Sequence, residues 1–146
     1  MGPSFLRRRS ADLRYPGRVI DHTGIRSPDL ERATRFYERA LSPLGYLVRR
    51  TIPGAVGFGV PSGKGRSLDP GGDFWISLGE PYTPRIHVAF SAPDRAAVDA
   101  FHSAALGAGG IDNGPPGLRP HYHATYYAAF VLDPDGYNVE AVWHGL

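Results

Sequence analysis

Hydrophobic positions along this chain fall into two sets with the same punctuation. Between Val19 and Arg26 a short apolar run reads as a strand. Leu30, Ala33, Phe36, Tyr37, Ala40, Leu41 and Leu44 then recur at helical spacing as one stripe. Ser27-Pro28-Asp29 offers a capping hydroxyl, a first-turn proline and an acid for the start of that helix, and Gly45 stops it. Further on, Ile86, Val88 and Phe90 alternate along a strand and Pro93-Asp94 opens a second helix. Val98, Phe101, Ala105 and Leu106 form its stripe before Gly107. Shorter runs separated by Gly and Pro follow each helix: Tyr46 to Thr51, Ala55 to Val60 and Phe74 to Gly79 in the first set. In the second, a glycine-rich loop from Gly107 to Gly117 precedes Tyr126 to Leu132 and Tyr137 to Trp143, with Asp133-Pro134-Asp135-Gly136 as a hairpin turn between the last two.

The two sets are one unit written twice. Sliding the sequence on itself by 65 residues pairs His22 with His87, Pro28 with Pro93, Asp29 with Asp94, Phe36 with Phe101, Ala40 with Ala105, Leu41 with Leu106 and Gly45 with Gly110. Each unit reads strand, helix, then about three strands with the last three antiparallel. The predicted fold is therefore α+β: two tandem βαβββ modules forming a cupped, incomplete barrel. Residues 1–16 read as an N-terminal tail and 17–146 as a single domain, with module 1 over about 17–82 and module 2 over about 83–146.

Composition narrows the chemistry. With no cysteine, disulfides, thiolate catalysis and Cys-type zinc sites are excluded together, leaving His, Asp and Glu as the strong metal ligands. The net charge is +2, and the basic residues are all arginine except Lys64, scattered apart from Arg7-Arg8-Arg9. Without a basic stripe or a helix-turn-helix pattern, nucleic acid is not expected as a partner. The longest apolar run, Tyr126 to Leu132, is far short of the ~18 residues that cross a bilayer. No membrane partner is expected either. The segment after the arginine run is too polar for the core of an export signal, so the expected location is cytoplasmic.

The repeat selects a site. Ile86, Val88 and Phe90 take the buried side of their strand, so His87 lies on the face opposite the helix, and His22 inherits that orientation. Two modules related by a pseudo-two-fold axis would set these histidines face to face. Glu140 alternates with Val139, Ala141 and Trp143 and projects to the same open side of the last strand. His22, His87 and Glu140 make a two-histidine, one-carboxylate set that leaves positions on an ion open for water or substrate. Arg119-Pro120-His121-Tyr122-His123-Ala124-Thr125-Tyr126-Tyr127, the densest polar and aromatic patch, sits beside it; His121 or His123 could serve as base, donor or further ligand. Arg119 could clamp an acidic substrate. His102 and His144 have no repeat partner and read as surface residues. Gly63-Lys64-Gly65 lacks the strand-to-helix context of a phosphate loop.

The duplicated layout, the His22 and His87 openings, Phe36-Tyr37, and Asp133-Pro134-Asp135-Gly136 followed by Glu140 resemble the vicinal oxygen chelate superfamily. That superfamily includes glyoxalase I, bleomycin-resistance proteins, fosfomycin-resistance thiol transferases and type I extradiol dioxygenases, and the resemblance covers residues 19–144. It implies a divalent ion (Fe, Mn, Zn, Ni or Co) and a small oxygen-chelating substrate handled by a lyase, isomerase or extradiol-type dioxygenase. Glyoxalase I uses a fourth ligand, a glutamate whose repeat position here is Trp75, which disfavours that activity and makes the indole a surface for stacking substrate. Extradiol enzymes carry a histidine, a tyrosine and Asp-Pro-x-Gly before the ligand glutamate. His121 or His123 fits the first, but Phe130 stands where the tyrosine belongs, leaving Tyr126 or Tyr127 to replace its hydroxyl. The resemblance thus assigns His121, His123 and Tyr126 to catalysis and Trp75, Arg119 and Tyr127 to substrate. A metal-free drug-binding protein of the bleomycin-resistance type is the alternative. The cup would close within one chain or by exchange across a homodimer.

Overall fold

The computed structural model describes residues 20–63 and 65–145, so the N-terminal tail read from the sequence lies outside the described residues. Module 1 comprises β1 (Thr23–Ser27), α1 (Leu30–Leu41), β2 (Leu47–Ile52), β3 (Ala55–Gly59) and β4 (Phe74–Leu78). Module 2 comprises β5 (His87–Ser91), α2 (Arg95–Gly107), β6 (Ile111–Leu118), β7 (Tyr127–Leu132) and β8 (Asn138–Trp143). Each forms a four-stranded, unclosed mixed sheet, in the orders β1-β4-β3-β2 and β5-β8-β7-β6, so β1 and β5 are edge strands.

The repeat holds down to register. Gly24 pairs with Trp75 as Ala89 pairs with Glu140, both across parallel strands. Asp29 and Asp94 cap the two helices by accepting from Arg32 N and Ala97 N, which relieves free N–H groups at each start. The cap of α1 is therefore Asp29 and not Ser27, whose hydroxyl instead accepts from the Asp29 backbone N–H. A short 3-10 turn at Ser42–Leu44 closes α1 on Gly45, at φ 86°.

Two expectations fail in module 2. The glycine-rich segment assigned to a loop is largely strand β6, because an edge strand with register shifts tolerates the Pro115-Pro116 pair that a central strand would reject. Ile86 and Leu106, expected to be buried, are exposed. The helix-side stripe is carried by Val98, Phe101 and Ala105, all at 0% exposure.

Helix-side residues of both sheets merge into one core. Phe74 of β4 meets Phe90 of β5 at 5.1 Å between ring centroids, and Tyr37 of α1 meets Phe74 at 5.0 Å. Tyr37 also donates to Asp133 in the turn between β7 and β8. Since the helix-bearing faces share this core, the open faces of the two sheets turn away from it. Trp75 belongs to one open face, His87 and Glu140 to the other.

Candidate metal and substrate site

On the open face of the second sheet, pairing places Glu140 between Ala89 and Phe130, with His87 one step along β5 beside Asn138. Glu140 is 3% exposed, so its charge requires partners, and it has them. His87 Nε2 lies 2.8 Å from Oε2, and the Tyr126 hydroxyl donates to Oε1 at 2.5 Å. Burial and then this hydrogen bond to Glu140 push the Tyr126 hydroxyl well above its ordinary value of 10.0, so it keeps its proton across the neutral range.

The other nitrogen of His87, Nδ1, is 2.9 Å from the Asn138 carbonyl. A carbonyl only accepts, so Nδ1 carries a hydrogen and fixes the ring, leaving Nε2 aimed at a carboxylate oxygen. Such a contact is satisfied by a second ring proton, or by a cation that takes the lone pairs of both groups. This pairing of donors with an anchored imidazole suits a divalent ion of the N/O-preferring kind. The Phe130 ring lies 6.2 Å from that of His87 at 28°, with no hydroxyl of its own to offer.

Loop 119–126 borders this face. Thr125 N donates to His123 Nδ1 at 3.3 Å, so the His123 hydrogen sits on Nε2 and points to His144 Nδ1 at 2.9 Å. The two rings stack at 26°, and the Thr125 hydroxyl holds the His144 carbonyl. His144, read from the sequence as a surface residue, thus joins the site: both its ring and that of His123 meet the Tyr126 ring, each at 5.2 Å. His121 lies against Tyr122 at 4.3 Å, and Tyr122 against Tyr126 at 4.9 Å, forming the rim.

Tyr127 turns the other way. As the first residue of β7 it faces α2, donating to Asp99 at 2.7 Å beneath the Arg95 guanidinium, whereas the sequence reading assigns it to substrate. Trp75 does occupy an open face, that of the first sheet. Its indole is seated over Gly57, where a Cβ would come within 2.8 Å of the ring, and its Nε1 donates to the Gly72 carbonyl at 3.1 Å. His22, just before β1, is exposed and bonded to Asp21 at 2.8 Å. It lines a cleft of about 870 Å³ where the modules meet, together with Tyr46, Phe74, Phe90 and His144. Among the described residues no three His, Asp or Glu side chains stand close enough to hold one ion. A single chain therefore brings His87 and Glu140 together and leaves His22 apart.

The chain belongs to the Glyoxalase/Bleomycin resistance protein/Dioxygenase superfamily, whose family model matches residues 19–141. Among solved structures it is similar to a glyoxalase/bleomycin resistance protein from Albidiferax ferrireducens, at 25% identity and TM-score 0.66 over 84% of this chain and 95% of that one. It is also similar to a lactoylglutathione lyase from Agrobacterium tumefaciens, at 20% identity and TM-score 0.59 over 88% and 95%. A glyoxalase I variant from Zea mays matches at 24% identity and TM-score 0.59, over 83% of this chain and 45% of that one. No curated protein sequence matches significantly. No helix among the described residues is long and apolar enough to cross a membrane.

Proposed function

We propose that this protein is a divalent-metal enzyme of the superfamily, acting on a small molecule with two adjacent oxygens. In this reading His87 and Glu140 of one copy hold the ion and His22 of a second copy completes the set. The observation that carries the reading is the 2.8 Å contact between His87 Nε2 and a buried carboxylate on an otherwise open sheet face, with Nδ1 already anchored. A structural ion pair on a sheet gains little from such burial, because desolvation offsets the attraction. The same pair poised beside solvent has the form of two ligands awaiting a cation.

When bound, a divalent ion supplies Lewis acidity to the substrate oxygens. The chain's own residues do the rest. Asn138 fixes the His87 ring, and Tyr126 restrains one oxygen of Glu140 while staying protonated. His144, whose Nδ1 accepts from His123 at 2.9 Å, carries its own hydrogen on Nε2 and offers it as a hydrogen-bond donor beside Tyr126. Trp75 of the second copy, replacing the carboxylate that a four-ligand site would need, offers a flat apolar wall. Lyase or isomerase chemistry is favoured over ring cleavage, because Phe130 at the tyrosine position of the extradiol pattern cannot move a proton.

Calorimetric titration of the full chain with zinc, nickel, cobalt and manganese tests the reading. Binding that is lost in His87→Ala and Glu140→Gln supports it. A chain that binds no divalent ion, with both variants unchanged in ligand binding, would make it a metal-free binding protein.

A further inference from the structure

Arg119 is held in a purpose-shaped cradle on the same face. Its Nη2 donates to the Pro115 carbonyl at 2.7 Å and its Nη1 to the Gly117 carbonyl at 2.9 Å and the Leu118 carbonyl at 3.5 Å, so the guanidinium folds back over β6. A Cβ at Gly114 or at Gly117 would lie 3.2 Å from a guanidinium nitrogen, tighter than ordinary contact. The Gly-Pro-Pro-Gly run therefore leaves room for the group while its carbonyls fix it. The guanidinium carbon stands 5.4 Å from the centre of the Phe130 ring, and that ring in turn neighbours His87.

All of these acceptors are neutral carbonyls. They satisfy hydrogen bonds and leave the charge unmatched, unlike Arg32 and Arg35, which pair with Asp135 and Glu31. Of the five guanidinium donors, Nε–H and one Nη2 hydrogen have no acceptor among the described residues. The face thus carries a fixed cation at one end and the His87 and Glu140 pair at the other, with a phenyl ring between them.

We infer that Arg119 and Phe130 form an anion subsite, so that the substrate is a small planar carboxylate whose ring or conjugated body lies over Phe130 and whose carboxylate meets Arg119. A carboxylate is favoured over a phosphate because one guanidinium with two free N–H groups matches one pair of oxygens and one charge. This inference rests on the proposed metal reading for the far end of the molecule, but the anion subsite itself is readable without metal.

The test compares benzoate, its neutral isostere benzamide and phenylphosphonate, titrated into the metal-free full chain by calorimetry or by chemical-shift changes at Arg119 and Phe130. Benzoate should bind about tenfold more tightly than benzamide, the value of one charge-assisted pair. Arg119→Gln should erase that preference. Gly117→Ala, which retains the arginine but crowds its cradle, should reduce it. Equal binding of benzoate and benzamide, or a preference that survives Arg119→Gln, overturns the subsite, and tighter binding of phenylphosphonate overturns the choice of carboxylate. Metal titration of the same samples reports separately on the His87 and Glu140 reading, so failure of one is not mistaken for failure of the other.

Discussion

Glu140 shows how much a single side chain can carry. A carboxylate in an apolar strand is costly unless each oxygen is engaged, and here a histidine takes one and a phenol the other. Tyr126→Phe removes the restraint on Oε1 and should weaken divalent-ion binding by about tenfold, as loss of an outer partner of a ligand does, measured by calorimetry. Gly57→Ala should cost about 2 kcal/mol or more in urea unfolding, since its Cβ would press on the Gly71 carbonyl and the Trp75 indole. In the sequence, His87 is legible through strand alternation and the repeat together and Glu140 through alternation alone, since its repeat position holds Trp75, while Tyr126 enters only through the resemblance, as a replacement hydroxyl. The repeat does not point to His144, for its offset lands on Gly79. The alternation of Asn138, Glu140 and Val142 does, once it is carried one residue past the end of β8. A dense aromatic patch conceals that Tyr127 faces α2.

At the scale of elements, α1 is tied to the far hairpin by Tyr37, whose hydroxyl meets Asp133 in the core, and by Arg32 on Asp135 at 2.6 Å. Tyr37→Phe should cost about 2 kcal/mol, because a buried carboxylate loses its donor. The same hydroxyl predicts a pH dependence. Burial, with Asp133 second, raises the Tyr37 value well above 10.0 in the folded chain. The folded state then holds that proton more tightly than the unfolded one, so its contribution is complete below pH 10 and fades as pH rises through the raised value. Unfolding midpoints should fall steeply above about pH 10, and less steeply in Tyr37→Phe. Helices and most strands were readable because caps, stripes and stops recur in both copies. β6 was not, since Gly and Pro signal a break locally and a strand survives there only through its pairing with β7 along an edge.

For the whole molecule, the sequence carries the duplicated architecture, yet it leaves open whether the modules close the cup within one chain or across a second copy. Phe36, Phe74, Phe90 and Phe101 are all helix-side residues, and the sequence does not say that one core takes all four. That shared core turns both open faces outward and leaves β1 and β5 as unpaired edges, which motivates a second copy as the surface that completes the site. Sedimentation should therefore show a dimer. The most direct measurement mixes two defective chains, His22→Ala and the double variant His87→Ala with Glu140→Ala, and titrates the mixture with nickel. Neither chain alone should bind the ion tightly. After exchange of subunits the mixture should regain wild-type affinity, with one ion per mixed dimer, since His22 of one chain then meets His87 and Glu140 of the other. No recovery on mixing, in a sample shown to contain mixed dimers, would contradict the account.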